Sequence, residues 1–314
     1  MREKTWLEGQ NWRRRGEAPA VALGPEGAFD DMHIFAPCVA RMGGRYFLWY
    51  SGSRGEVAER VFRLGLAVSE DGVSFAKIDS NPVFEFGDGR RSILTPALAR
   101  RPDGTHCPVG GRLCLYYTAA DLGGDGKHTL HRSGSDDGLV WDTPSPNLLD
   151  DAYAPSVMFD DGTWRLWYTD VSAEPWCLRH ATSDNGLDWR IEKRKALVLD
   201  QDWEAGRLFY PSVIRRDGVY VMWYGSYWGP EKQRTALGVA LSEDGVVWRK
   251  SAHNPVFKPD PARPWESHYT TSQSVLCDDD GTWRLWYGAR TRPPFVHKYF
   301  AIGTATWKPQ AAQA

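Results

Sequence analysis

The chain has 314 residues, enough for two average domains or one large all-β domain. It is 42% hydrophobic and 25% charged with a formal net charge of −2, an ordinary globular balance with no electrostatic basis for binding nucleic acid or membranes. Sixteen Trp and thirteen Tyr stand out, and such rings suit both sheet interiors and the floors of sugar sites.

The start, MREKTWLEGQNWRRRGEAP, has no apolar run like a signal peptide, and no stretch approaches transmembrane length. The cysteines at 38, 107, 114, 177 and 277 show neither CxxC nor metal-ligand spacing. Together these features predict reduced thiols and a cytoplasmic protein, with Cys38 and Cys277 inside core strands. The segment APAVALGPEGAF, from Ala18, looks like NPVFEFG further on. It is expected to pair with the end of the chain.

From Ala36 the chain repeats. APCVARMGGRYFLWYSG is followed by related phrases starting at Thr95, Ala154, Tyr210 and Ser272. Aligned on Pro37, Pro96, Pro155, Pro211 and Gln273, the steps are 59, 59, 56 and 62 residues. Self-similarity at a fixed period marks a repeat architecture. Each unit reads as a short apolar strand such as PSVMF, an Asp/Gly turn, and an alternating aromatic strand such as TWRLWY. A polar loop and a third strand such as ALGVALS come next.

A second phrase, SEDGVSF, SDDGLVW, SDNGLDW and SEDGVVW, then makes a turn at Ser69, Ser135, Ser183 and Ser242. A fourth strand such as NPVF closes the unit. Recurrence in equivalent places reads as blade structure, with Phe75, Trp141, Trp189 and Trp248 packing back on the blade. The last unit lacks a fourth strand. The prediction is therefore one all-β domain over 1–314. It is a five-bladed β-propeller of four-stranded antiparallel blades, closed by an N-terminal strand that completes the last blade.

The repeated turns should lie on one face and function on the other. That other face carries the loops into each first strand and the loops after each WY strand. Unique polar residues there are the candidates. For binding a carbohydrate or small polar substrate they are His33, Arg54, Arg91, Asp170, Arg207, Tyr227, His268 and Arg290. Among the acids, Asp30, Glu204 and Glu266 each lie seven positions before the reference residue, a repeated place that suits bonding between blades. Asp31 and Asp151 break the repeat, and Asp170 and Glu174 share a long unique loop. No HExxH, His/Cys cluster, GxSxG elbow or Gly-rich phosphate loop is present, so no metal or cofactor is expected.

Phrases such as PSVMFDDGTWRLWYTD and SEDGVVW, on five blades with acids at one mouth, resemble the glycoside hydrolase superfamily of families 43, 32, 62, 68, 117 and 130. The resemblance covers nearly the whole chain. It implies a general-base or nucleophilic Asp in blade one, which would be Asp31, and an assisting Asp in blade three, which would be Asp151. A later Glu would donate the proton, Glu204 or its rival Glu174. Family-43-like enzymes typically carry an Asp directly before the strand Pro. Here those places hold Ala36, Thr95, Ala154 and Tyr210. The implied activity is glycoside hydrolysis, on a furanoside-type substrate, by paired carboxylates. The alternatives are a propeller that binds a sugar or metabolite without turnover, and a phosphorylase, lyase or biosynthetic enzyme on the same scaffold.

Overall fold

The computed structural model describes residues 3–229, 234–292 and 300–309. After a short helix α1 (Glu3–Leu7) and strand β1 (Arg13–Arg15), the chain builds its blades in order. Blade one is β2 (His33–Met42), β3 (Arg45–Ser53), β4 (Arg63–Ser69) and β5 (Ala76–Lys77). Blade two is β6 (Arg91–Leu98), β7 (Leu113–Asp121), β8 (Thr129–Ser135) and β9 (Leu149–Asp150). Blade three is β10 (Ala152–Asp160), β11 (Thr163–Asp170), β12 (Cys177–Ser183) and β13 (Arg190–Ile191). Blade four is β14 (Leu208–Arg216), β15 (Val219–Trp228), β16 (Arg234–Ser242) and β17 (Arg249–Lys250). Blade five is β18 (Tyr269–Cys277), β19 (Trp283–Arg290), β20 (Phe300–Trp307) and β1. All five sheets are four-stranded, and the ring closes as a five-bladed propeller.

Two details differ from the sequence expectation. The fourth strand of blades one, three and four is a two-residue ladder directly after the turn, and the NPVF-type segment adds only a single bridge. Pro82 and Pro255 have no N–H to donate, so pairing there is left to residues such as Val83 and Phe84. The closing strand is Arg13–Arg15, paired to Thr304–Thr306, while Val21 in the expected segment makes the NPVF-type bridge to Ile302. Four of the five cysteines are buried and Cys277 is partly buried; all are free thiols.

The repeated turn is a latch between blades. In blade one, Ser69 Oγ accepts the Gly72 N–H (2.9 Å), and Asp71 Oδ1 accepts those of Val73 (2.8 Å) and Ser74 (2.9 Å). This leaves the Gly72 carbonyl aimed outward. It accepts the indole N–H of Trp286 from blade five (2.9 Å). Gly138, Gly186 and Gly245 likewise accept from Trp49 (3.0 Å), Tyr116 (2.8 Å) and Trp167 (2.8 Å), each on the second strand of the preceding blade. The boundary between blades four and five has no such turn. There Trp223 donates to Gln10 Oε1 instead (3.0 Å), so the N-terminal segment supplies the fifth latch.

The repeated acids tie strands within a blade. Asp30 accepts from Tyr50 on β3 (2.8 Å) and Lys77 on β5 (2.5 Å). Glu204 accepts from Tyr224 on β15 (2.8 Å) and Lys250 on β17 (2.7 Å). Glu266 accepts from Tyr287 on β19 and from Arg14 on β1 (2.5 Å). The third cluster therefore anchors the closing strand.

One buried base makes the fold acid-sensitive. His180 on β12 is 1% exposed, stacks on Trp167 with centroids 5.1 Å apart, and has no hydrogen-bond partner for either ring nitrogen among the described residues. Burial, aided by the charge of Arg165, pulls its pKa from 6.5 down to about 4. The unfolded chain takes up that proton first as pH falls. Stability is thus complete above about pH 6.5 and declines toward about pH 4, by about 3 kcal/mol in total. His180→Phe should flatten that decline when urea midpoints are compared at about pH 7 and about pH 4.5.

Candidate functional site: an aromatic cavity at the propeller mouth

All five first strands carry the same irregularity. The residue before each reference position, Ala36, Thr95, Ala154, Tyr210 and Ser272, has φ between 47° and 54°, and the strand register shifts there. Such a bulge costs an L-residue about 1–2 kcal/mol, and it recurs at the same place in all five blades. Below them, Pro37, Pro96, Pro155, Pro211 and Gln273 surround a void of about 50 Å³. Gln273 donates to the carbonyls of Tyr210 (2.5 Å) and Trp223 (2.8 Å), and Arg100 donates to that of Val39 (2.9 Å). The channel is therefore narrowed to that small void at its centre.

Above this floor lies a cavity of about 320 Å³, lined from all five blades. Most of the lining comes from lead-in ends of first strands and loops after second strands, with Gly288 and Ala289 on β19, Thr235 on β16 and Phe300 on β20 completing it, and no residue of the four SxDGxxW turns contributes. Its walls are mainly aromatic. The Tyr153 and Tyr210 hydroxyls bond each other (2.6 Å), and Tyr227 and Tyr269 face the same space. Burial raises the pKa of Tyr153 and Tyr210 well above 10 and that of Tyr269 to about 12, so these three phenols stay protonated at neutral pH. His33 stacks on Phe300 at 3.7 Å, and His128 meets Tyr153 edge-on at 5.0 Å. Burial holds the His128 pKa below its usual value against the opposing charge of Asp151. Arg60 and Arg207 also line the wall. Arg207 lies 3.9 Å over the Trp176 ring and donates to Glu174 (Nε–Oε2 3.1 Å).

Three of the sequence candidates, His33, Arg207 and Tyr227, line this cavity. Glu174 reaches it only through Arg207. Asp31 accepts the Gly27 N–H on Oδ2 (2.8 Å), and its buried Oδ1 has no partner among the described residues. Asp151 is not in the lining; its charge acts on His128, and its backbone sits at φ 55°. Asp170 is paired with Arg179 (2.9 Å) and bonded to Ser172; burial pushes its carboxyl up, but these bonds outweigh it and the net shift is downward. Glu204 is enclosed between Tyr224 and Lys250, its side chain fully buried, and does not reach the cavity.

Arg91 pairs with Asp88 (2.6 Å) on the outer rim, and Arg54 is exposed. His268 bonds Ser267 (2.9 Å). Arg290, 1% exposed, lies behind the wall with its guanidinium 3.6 Å from the Tyr269 centroid, and burial lowers its pKa. No carboxylate lines the cavity among the described residues. Residues 230–233 and 293–299, in two loops expected at the mouth, lie outside the described residues.

Sequence reasoning did not select Arg60, Tyr153, Tyr210 or Tyr269. Tyr210 had a signal: in the column Ala, Thr, Ala, Tyr, Ser it is the one large residue.

Fold and cavity together define a five-bladed propeller of the glycoside hydrolase type. The model of the glycosyl hydrolases family 32 N-terminal domain matches residues 142–312, more than half of the chain, and the chain belongs to that family. It is 26% identical over 241 residues to the uncharacterized protein MT1551 of Mycobacterium tuberculosis (strain CDC 1551 / Oshkosh), covering 72% of this chain and 77% of that one. It is 31% identical over 173 residues to the 1,2-beta-oligomannan phosphorylase of Thermoanaerobacter sp. (strain X514), covering 50% and 53%. A solved structure described as a glycoside hydrolase superposes with a TM-score of 0.77 at 16% identity, over 99% of this chain and 96% of that one. At that identity the likeness shows the fold. No helix among the described residues is long and apolar enough to cross a membrane.

Proposed function

We propose that the mouth cavity seats a sugar ring and that the protein is a carbohydrate-binding propeller on a glycosidase scaffold. The lining carries this reading: aromatic faces and phenol hydroxyls from several blades, with no carboxylate among the described residues. Rings stack on the apolar face of a sugar while hydroxyls meet its polar edge. A volume of about 320 Å³ lies at the small end of ligand pockets, the size of a mono- or disaccharide unit. Cleavage by paired carboxylates needs two acids about 5–9.5 Å apart across the scissile bond. The bulge positions, where family-43-like enzymes typically hold an Asp, carry Ala36, Thr95, Ala154, Tyr210 and Ser272. Family membership and the oligomannan phosphorylase relative support a saccharide as the ligand.

One observation favours a second reading. Asp31, whose buried Oδ1 has no partner among the described residues, lies two residues from His33 of the cavity wall. In that reading Asp31 is base or nucleophile, Asp151 positions and tunes, and Glu174 on Arg207 is the proton donor; Glu204 would have to leave its buried cluster to take that part.

Titration of β-1,2-mannosides, fructosides and arabinofuranosides, followed by tryptophan fluorescence with NMR watching for released sugar, tests both. Saturable binding without product is expected, weakened about tenfold by Tyr210→Phe. Turnover abolished by Asp31→Asn or Asp151→Asn in a folded protein would sink the binding-only reading and install the second.

A further inference from the structure

The hydroxyl groups of the cavity wall are unevenly placed around the ring. Six lining residues carry one: Tyr153, Tyr210, Tyr227, Thr235, Tyr269 and Thr271. All six belong to blades three, four and five. Blades one and two contribute none to the lining, and their apolar side chains there are Phe35, Phe62, Leu94 and Leu122. The positions directly before the five bulges show the same division. They are Phe35, Leu94, Tyr153, Phe209 and Thr271, and each lines the cavity from its own blade. Equivalent places in a propeller stand around its axis, so Phe35 and Leu94 mark one side of the cavity. Phe209 lies among the hydroxyl-bearing residues, edge-on to Tyr210 (5.4 Å) and Tyr227 (5.3 Å).

The apolar side is built as one piece. Phe35 and Phe62 meet edge-on with centroids 5.1 Å apart, and Leu94 and Leu122 pack with them in one cluster. Phe62 is fixed across the boundary with blade two: its N–H donates to Ser92 Oγ (3.1 Å), and its carbonyl accepts the Ile93 N–H (2.9 Å). The polar groups of these two blades are engaged. The His33 ring packs on Phe35 (5.1 Å), Phe62 (5.0 Å) and Phe300 (3.7 Å), Arg60 donates to the Val57 carbonyl (2.6 Å), and His128 meets Tyr153. A sugar hydroxyl set against Phe35, Phe62 and Leu94 would lose its water and gain no partner. An aromatic group there gives up only apolar surface and meets ring edges and faces.

We propose that the ligand of this cavity is a glycoside with an aryl aglycone. The sugar takes the hydroxyl-bearing side made by blades three to five, and the aromatic aglycone lies against Phe35, Phe62, Leu94 and Leu122. This inference rests on the reading of the cavity as a sugar site and names the group attached to the sugar. A volume of about 320 Å³ holds one sugar ring and one aryl ring.

Matched pairs test it by calorimetry: phenyl against methyl β-mannopyranoside, and phenyl against methyl α-arabinofuranoside, with the n-hexyl glycosides and phenol alone as further arms. In the pair whose sugar is accepted, the phenyl member should bind at least about tenfold more tightly, with a more negative heat-capacity change. Phe62→Leu, and Leu122→Asn at a half-exposed position, should each cut that preference about threefold or more with unchanged circular dichroism. Tyr210→Phe should weaken both members alike and keep their ratio. Equal affinity for phenyl and methyl members, or a preference unmoved by both wall variants, overturns the aglycone assignment and leaves the sugar site standing. A hexyl glycoside binding as tightly as the phenyl one overturns the aromatic part of the claim. Phenol alone binding as tightly as the phenyl glycoside, or no binding by any glycoside, overturns both this inference and the reading beneath it.

Discussion

Glu204→Ala should destabilise the protein by about 3–5 kcal/mol, read as a lowered urea midpoint. The carboxylate is fully buried and accepts from Tyr224 (2.8 Å), Lys250 (2.7 Å) and the backbone N–H groups of Asp200 (2.9 Å) and Gln201 (3.2 Å). Its removal leaves Lys250, only 5% exposed, with Asp200 as its remaining carboxylate, and Asp200 is 58% exposed. A buried ammonium without a full partner is costly, and the Tyr224 hydroxyl loses its acceptor at the same time. An acid held in place for catalysis behaves in the opposite way, because its removal relieves an unfavourable site. Glu174→Gln is the control. Glu174 is 55% exposed and bonded to a rim arginine, so its loss should change stability by less than about 1 kcal/mol. Full stability together with lost turnover in Glu204→Ala would make Glu204 catalytic.

Trp6→Ala should cost about 3–5 kcal/mol by the same measurement. Trp6 is 0% exposed, and its ring meets Trp283 at 4.9 Å, Trp307 at 5.8 Å and Trp223 at 6.1 Å, all near edge-on. The residue fills the boundary between blades four and five where no SxDGxxW turn exists. Its carbonyl also fixes Gln10 through Nε2 (3.2 Å), which presents Oε1 to Trp12 (2.9 Å) and Trp223 (3.0 Å). Truncation would open a cavity beside that polar latch, at the boundary between blades four and five. A loss below about 1 kcal/mol would show that the boundary between blades four and five does not depend on Trp6.

The acid and tryptophan predictions bear on what a repeat can reveal. Sheet periodicity and the 56–62-residue steps made the five blades, their strand number and the closure by the N-terminal region legible. The SxDGxxW turns were readable as structure for the same reason: each blade meets its neighbour in the same way, so the same residues recur. The repeated place of Asp30, Glu204 and Glu266 also pointed to a structural role. Which groups they bond was not readable, because Tyr224 and Lys250 lie 20 and 46 residues from Glu204 and meet it only when the blade is formed.

The sequence by itself determined the propeller, the face that bears the cavity, and the absence of an Asp before the strand prolines. It also marked His33, Arg207 and Tyr227, which line the cavity. Only the tertiary structure decided that the acids stand outside it, that Tyr153 and Tyr210 share a hydrogen bond across 57 residues, and that Gln10 replaces a missing turn. The reason is physical. A blade repeats its own local and nearest-neighbour contacts, and these write a period into the chain. A cavity at the axis is made where non-neighbouring blades converge, and that convergence depends on five bulges and a ring closure that leave no periodic trace in the residues that line it.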